Sequence, residues 1–309
     1  MAPPLTSIRP TMGLRDWSML VLLSVLFGGA FFFVGVSVAD LPALVIVTSR
    51  VVLAAMALLC IAMMQRARLP TDARSLRAFI AMGLLNSAVP FLLITWAQAQ
   101  IPSGLAAILN ATTPLFTVVI ASLALADEKA TLTKVLGVVL GICGVWVIFG
   151  LPTEHSDSTV AQIAVLTAAL SYACAGVYGR RMKAMGLTAV VAAGGQLLAA
   201  AAILVPITLA TADWSALARA SQQTWLAVVG LALVSTAGAN VLYFRLLGSV
   251  GATNLLLVAL LIPVSALVLG WLFLNEALEP PHLLGMSVIA LGLAVIDGRV
   301  FGRRTMGAS

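Results

Sequence analysis

The stretch "PLFTVVIASLALADEKATLTKVLGVVLGICGVWVIFG", Pro114 to Gly150, returns later in the chain as "PVSALVLGWLFLNEALEPPHLLGMSVIALGLAVIDG", Pro263 to Gly298. Pro114 aligns with Pro263, Glu128 with Glu276, Gly137 with Gly285, Gly144 with Gly292 and Gly150 with Gly298, at a spacing of 149 residues that becomes 148 after one gap. Self-similarity at a fixed distance marks a duplicated architecture. Each copy is an apolar run, a short polar break with an acidic residue, and a second apolar run rich in glycine.

Working outward, the rest of the chain has the same texture. Of 309 residues, 61% are hydrophobic and 9% charged, with mean hydropathy +1.11. A water-soluble domain carries roughly a quarter of its residues as charges. Runs able to cross ~30 Å of hydrocarbon at about 1.5 Å per helical residue recur along the whole sequence. Ten are expected: Trp17–Val38, Ala43–Met64, Leu76–Ala97, Ser103–Leu125, Leu132–Gly150, Val160–Gly179, Thr188–Ala210, Thr224–Phe244, Gly251–Leu274 and Leu283–Gly298. The first continues past Gly28, Gly29 and Ala30, too long for a cleaved signal segment, and reads as a span. Nothing of domain size separates the runs, so no soluble catalytic or ATP-binding domain is expected. Cys60, Cys143 and Cys174 fall inside spans and form neither a disulfide framework nor a metal spacing.

Ten spans place alternate connections on opposite sides. Of the 17 Lys and Arg residues, Arg50 lies inside a span and Arg219 stands alone on one side; all others, from Arg9 and Arg15 to Arg303 and Arg304, share the other. By the positive-inside rule both termini are cytoplasmic. The net charge of +6 then belongs to a rim facing anionic lipid, not to a nucleic-acid surface. Five spans precede the second copy, an odd number, so it enters the membrane inverted. The expected fold is an all-α integral membrane protein of ten transmembrane helices in two inverted five-helix repeats, residues 1–155 and 156–309, forming one membrane domain. Rocking one such half against the other opens a central site to each side in turn, which is how carriers are built.

Five plus five inverted spans, Pro114 and Pro263 within spans four and nine, the acidic residue after each, and glycine-rich spans five and ten resemble the drug/metabolite transporter superfamily, EamA type. The resemblance covers essentially the whole chain. It implies a bacterial inner-membrane transporter of small molecules, and the chain looks most like exporters of aromatic amino acids. Exporters of drugs or other metabolites belong to the same superfamily.

Arg50, in "LPALVIVTSRVVLAAMALLC" (Leu41 to Cys60), lies eight residues past Pro42, about 12 Å into the second span and near the bilayer middle. Facing lipid there costs ~3 kcal/mol on insertion scales. Two uses are open to it: donating to carbonyls or amides of neighbouring helices, or meeting a substrate carboxylate in a cavity. Aligning spans two and seven sets Gln196 opposite Arg50, a neutral hydrogen-bonding side chain at the matching depth. Asn86, Asn110, Asn240 and Asn254 extend the polar candidates, with Gln98, Thr95, Thr112 and Thr113 near them in sequence. Trp96, Tyr172 and Tyr243 are the aromatic candidates, together with Phe27, Phe31 and Tyr178. Pro114 and Pro263 remove backbone donors and are candidate bending points. Trp17, Trp214 and Trp225 suit an interfacial belt.

No Walker lysine follows a glycine loop, His155 and His282 sit at span ends, and no acidic residue lies at mid-depth, so enzymatic chemistry, metals and cofactors are not expected. The same absence predicts uncoupled transport, because proton-driven carriers place titratable groups within spans. Glu276 and His282, at the outer end, are the possible exceptions. A passive polar channel is the alternative to a carrier.

Overall fold

The computed structural model describes residues 13–125, 131–149, 157–243, 245–246, 257–277 and 280–297. Every regular element among them is helical. Seven helices are long and apolar enough to cross a membrane: α1 (Leu14–Ser37), α2 (Ala43–Met64), α3 (Ala73–Ala97), α4 (Ser103–Ala124), α6 (Asp157–Ala184), α7 (Ala189–Thr211) and α8 (Gln222–Tyr243). Three shorter apolar helices join them: α5 (Leu132–Phe149), α9 (Leu257–Leu274) and α10 (Pro280–Asp297). A short helix, Trp214–Arg219, precedes α8.

The helix starts follow local chemistry. The Asp72 carboxylate accepts from the Ser75 backbone N at 3.0 Å to open α3, and Ser221 Oγ accepts from Thr224 N at 3.2 Å to open α8. These caps are 149 residues apart at both positions, and each satisfies a backbone donor left over in a first turn. Pro42 and Pro102 sit at the N-caps of α2 and α4, where a missing N–H costs nothing.

Packing follows an exchange rule. Helix α1 packs on α9 and α6 on α4; α1 on α8 and α6 on α3; α2 on α8 and α7 on α3. Helices α2 and α7, α4 and α9, and α5 and α10 pack on one another. Within these nine pairs, swapping each helix with the one five places away returns another of the nine, whereas the lesser contacts of α1 with α4 and of α2 with α3 fall outside this pattern. The pair α5 and α10 shows this atom by atom. A Cβ on Gly137 would lie 2.6 Å from the carbonyl oxygen of Gly292, and one on Gly292 2.6 Å from that of Gly137. Gly144 and Gly285 stand in the same relation at 2.8 and 2.9 Å. Only glycine lets two backbones come this close, which is how helices associate where hydrophobic burial gives no drive.

Two irregularities matter for the site. Helix α3 contains a π turn at Leu84–Ala88 and α8 contains one at Leu233–Gly238, again at matching places. Pro90 brings no N–H for the carbonyl of Asn86, which accounts for the first. In the second, Thr236 Oγ1 donates to the Leu231 carbonyl five residues back at 2.7 Å, a side chain entering the backbone ladder. The prolines behave differently: Pro114 follows a break at Ala111 and Thr112 that splits α4, whereas Pro263 lies inside α9 without interrupting it.

Outward-facing side chains are apolar, as a lipid-facing surface requires: Trp146 on α5 is 76% exposed and Leu123 on α4 is 84% exposed. Gly150, Gly298, Phe244, Glu128 and the start of the ninth expected span lie outside the described residues.

Candidate functional site

The π turn of α8 is where the second and eighth helices exchange polar contacts. Arg50 Nε donates to Thr236 Oγ1 at 2.9 Å. Its guanidinium carbon stands 3.5 Å from the centroid of the Phe91 ring on α3, a cation–π contact that reaches ~2 kcal/mol when desolvated. Tyr172 of α6 packs against the apolar cluster that includes Phe91. Among the described residues no carboxylate pairs with Arg50, and Nε is its one donor with a protein acceptor. The fork of Nη donors is therefore left for another partner, held in place by a ring and a hydroxyl.

The π turn of α3 receives the equivalent contact from α7. There Asn86 Nδ2 donates to Gln196 Oε1 at a long 3.4 Å. Gly83, one residue before that turn, lets α3 approach α7 closely: a Cβ there would meet the Gln196 carbonyl oxygen at 2.7 Å. Each turn also holds a serine, Ser87 or Ser235, whose buried hydroxyl has no hydrogen-bond partner among the described residues. Ser171 of α6 donates to the Leu85 carbonyl at 2.7 Å, a further tie to the first turn.

The other expected site residues scatter more widely. Asn240 donates through Nδ2 to the Thr236 carbonyl at 2.7 Å, one turn beyond the Arg50 contact. Tyr243 meets Phe27 edge-on, with centroids 6.4 Å apart. Asn110 ends the first part of α4, where its carbonyl accepts from Thr113 Oγ1 at 2.7 Å and its buried side-chain Oδ1 has no partner among the described residues. Trp96 stands 43% exposed. Asn254 lies outside the described residues. The buried Gln98 side chain has no partner for either of its polar atoms, and Thr95 Oγ1 has none either, again among the described residues.

Sequence reasoning did not single out Thr236 or Phe91, the two residues that seat Arg50. Matching the candidate Asn86 across the repeat would have drawn attention to Ser235 and Thr236. It also left Glu276 without a definite role. Its carboxylate accepts from Ser103 N and Ser103 Oγ, both at 2.8 Å, and from Gly104 N at 3.2 Å. That caps the N-terminus of α4, where free N–H groups and the helix dipole favour an anion. Gly270 leaves the room, since a Cβ there would collide with this carboxylate.

A cavity of about 230 Å³ opens between α2, α7 and α8. Leu58, Val190 and Val241 are among its apolar lining residues, and Gln65, Asn240 and Arg245 are its polar ones among the described residues. It lies at the end of the bundle where α2 and α8 finish and α7 begins.

A bundle of helices long and apolar enough to cross a membrane, with a half-buried cation that has no acidic partner among the described residues, fits a membrane transporter. The pattern of the EamA-like transporter family matches residues 16–150 and again residues 159–297, and the chain belongs to that family. It is 26% identical to the uncharacterized transporter YoaV of Bacillus subtilis over 92% of this chain and 97% of that protein. It is 28% identical to the uncharacterized inner membrane transporter YedA of Escherichia coli, covering 90% and 89%. It is also 27% identical to the probable terminal-alkyne amino-acid exporter of Streptantibioticus cattleyicolor, covering 75% and 76%. A solved crystal structure, 17% identical, superposes with a TM-score of 0.66 over 94% of this chain and all of that one, which establishes likeness of fold.

Proposed function

We propose that this protein is an alternating-access carrier of the bacterial inner membrane that exports small amphipathic metabolites, amino acids above all and aromatic ones in particular, without coupling to a proton gradient. Its ten spans form two inverted halves, residues 1–155 and 156–309, with both termini in the cytoplasm. The exchange rule in the helix contacts, the paired π turns and the double family match all support the two-half reading. The charge bias of the connections supports the orientation.

The observation that carries the substrate class is Arg50. A guanidinium near mid-depth, with its fork of donors unengaged and no acid beside it, is complementary to a carboxylate. Phe91 and Tyr172 next to it offer apolar and aromatic surface to the remainder of such a molecule. The amino-acid exporter among the relatives supports the same class.

Reconstituted protein, assayed for counterflow against amino acids, quaternary ammonium drugs and nucleotide sugars, tests the proposal. Saturable exchange of amino acids, insensitive to an imposed pH gradient, is expected. Non-saturating flux would assign a channel; accumulation driven by the gradient would overturn the uncoupled mechanism; transport of drugs alone would overturn the substrate class.

A further inference from the structure

Arg245, two residues past the end of α8, has no part in the arrangement around Arg50. Arg245 lines the cavity at the end of the bundle together with Gln65 from the end of α2 and Asn240. Leu58, Val190 and Val241 add apolar side chains to the lining. Among the described residues the lining thus holds one cation, two amides that donate and accept, and aliphatic side chains, with no acidic one. Ammonium-bearing cations find nothing there to balance their charge, whereas a molecule with a carboxylate at one end and a hydrocarbon body at the other matches both surfaces.

The volume of about 230 Å³ falls below the ~300–1,000 Å³ typical of pockets for drug-sized ligands and accommodates an amino acid.

The cavity is also joined to Arg50 through α8. Asn240 on its wall donates to the Thr236 carbonyl at 2.7 Å, and the hydroxyl of the same Thr236 accepts from Arg50 Nε at 2.9 Å. Asn240 and Thr236 are four residues apart, about 6 Å along α8. That helix therefore joins the Arg50 contact to the wall of the cavity.

We propose that this cavity is the cytoplasmic docking subsite of the carrier, where the carboxylate of an amino-acid-sized substrate rests on Arg245 before it reaches Arg50. This rests on the carrier reading above and adds to it a first station for the substrate. Gln65 and Asn240 hold the polar end by neutral hydrogen bonds, and Leu58, Val190 and Val241 cover the side chain.

The test uses the full chain in vesicles of known orientation, with L-phenylalanine as probe and phenethylamine, which lacks the carboxylate, as control. Arg245→Gln is expected to raise the half-saturating concentration about tenfold on the cytoplasmic face, the loss of one charge-assisted contact, while the opposite face and the maximal rate stay within about twofold. Arg245→Lys should recover most of the affinity. An equal rise on both faces, or none, would overturn the subsite. So would an effect that vanishes in vesicles made only of phosphatidylcholine, which would assign Arg245 to an anionic lipid headgroup.

A second readout does not depend on transport. With Cys60, Cys143 and Cys174 replaced by alanine, Val190→Cys is labelled with a membrane-impermeant maleimide, and L-phenylalanine should slow labelling at least about threefold while phenethylamine does not. Protection without any counterflow would keep the subsite and sink the carrier reading. Counterflow without protection would sink the subsite alone, and the absence of both would remove both.

Discussion

The π turns of α3 and α8 occupy matching places in the two halves, and each takes a polar side chain from the helix that crosses it, yet their chemistry differs. In α8 the visitor is a cation: Arg50 reaches Thr236 at 2.9 Å and lies over Phe91. In α3 it is an amide: Gln196 reaches Asn86 at 3.4 Å. The two turns keep the geometry and differ in charge. On the function proposed above, one turn can hold a carboxylate and the other only a neutral or hydrogen-bonding group, so a substrate with distinct ends takes one orientation.

The most severe break of this comparison is Arg50→Gln, which makes the two turns chemically alike. Transport of carboxylate substrates should fall about 100-fold, the worth of roughly 2.7 kcal/mol, while insertion and thermal stability in detergent change little. Undiminished counterflow by a correctly inserted variant would return Arg50 to a purely structural role. Thr236→Val comes next. It removes the acceptor of Nε and the hydroxyl that enters the ladder at Leu231, so a loss of about tenfold is expected; the half-saturating concentration should rise while the maximal rate is largely kept. A fall in maximal rate alone would mean that the turn serves motion and not Arg50.

Gln196→Ala should cost less than about fivefold, because an amide contact of this kind is worth under ~1 kcal/mol within a membrane. If it matched Arg50→Gln, the asymmetry between the two turns would be functionally empty. The smallest effect concerns the caps. Hydrogen bonds from Thr224 Oγ1 and then Ser221 N hold the Asp40 carboxylate below the usual carboxylate range, and those from Ser75 N and Oγ do the same for Asp72. Carboxyls depressed in the folded state stabilise it above their unfolded values, and that contribution disappears as pH falls through the folded ones, below about pH 4. Between pH 5 and 8 neither group should tilt the unfolding temperature. A slope in that window removed by Asp40→Asn would contradict the assignment.

Glu276 sharpens the same theme. It was the outer acidic residue most open to a gating role, and the structure seats it on the N-terminus of α4 with three donors. Its counterpart in the repeat, Glu128, lies outside the described residues, so the comparison between the halves ends there.

The sequence by itself determined the class of the protein. Apolar runs of membrane length, the charge bias of their connections and the Pro114 and Pro263 repeat required nothing beyond spacing and composition, because hydrocarbon permits few alternatives to helices. Arg50 announced itself for the same reason: a charge at mid-depth is too unfavourable to be there without use. Its partners could not be read in this way. Lipid is as apolar as the protein interior, so a span's periodicity does not tell which face turns inward. Thr236, 186 residues away, looked like any other threonine. Only the fold, by bringing α2 across a π turn of α8 and α7 across one of α3, decided that Arg50 would meet a hydroxyl and a ring, and Gln196 an amide.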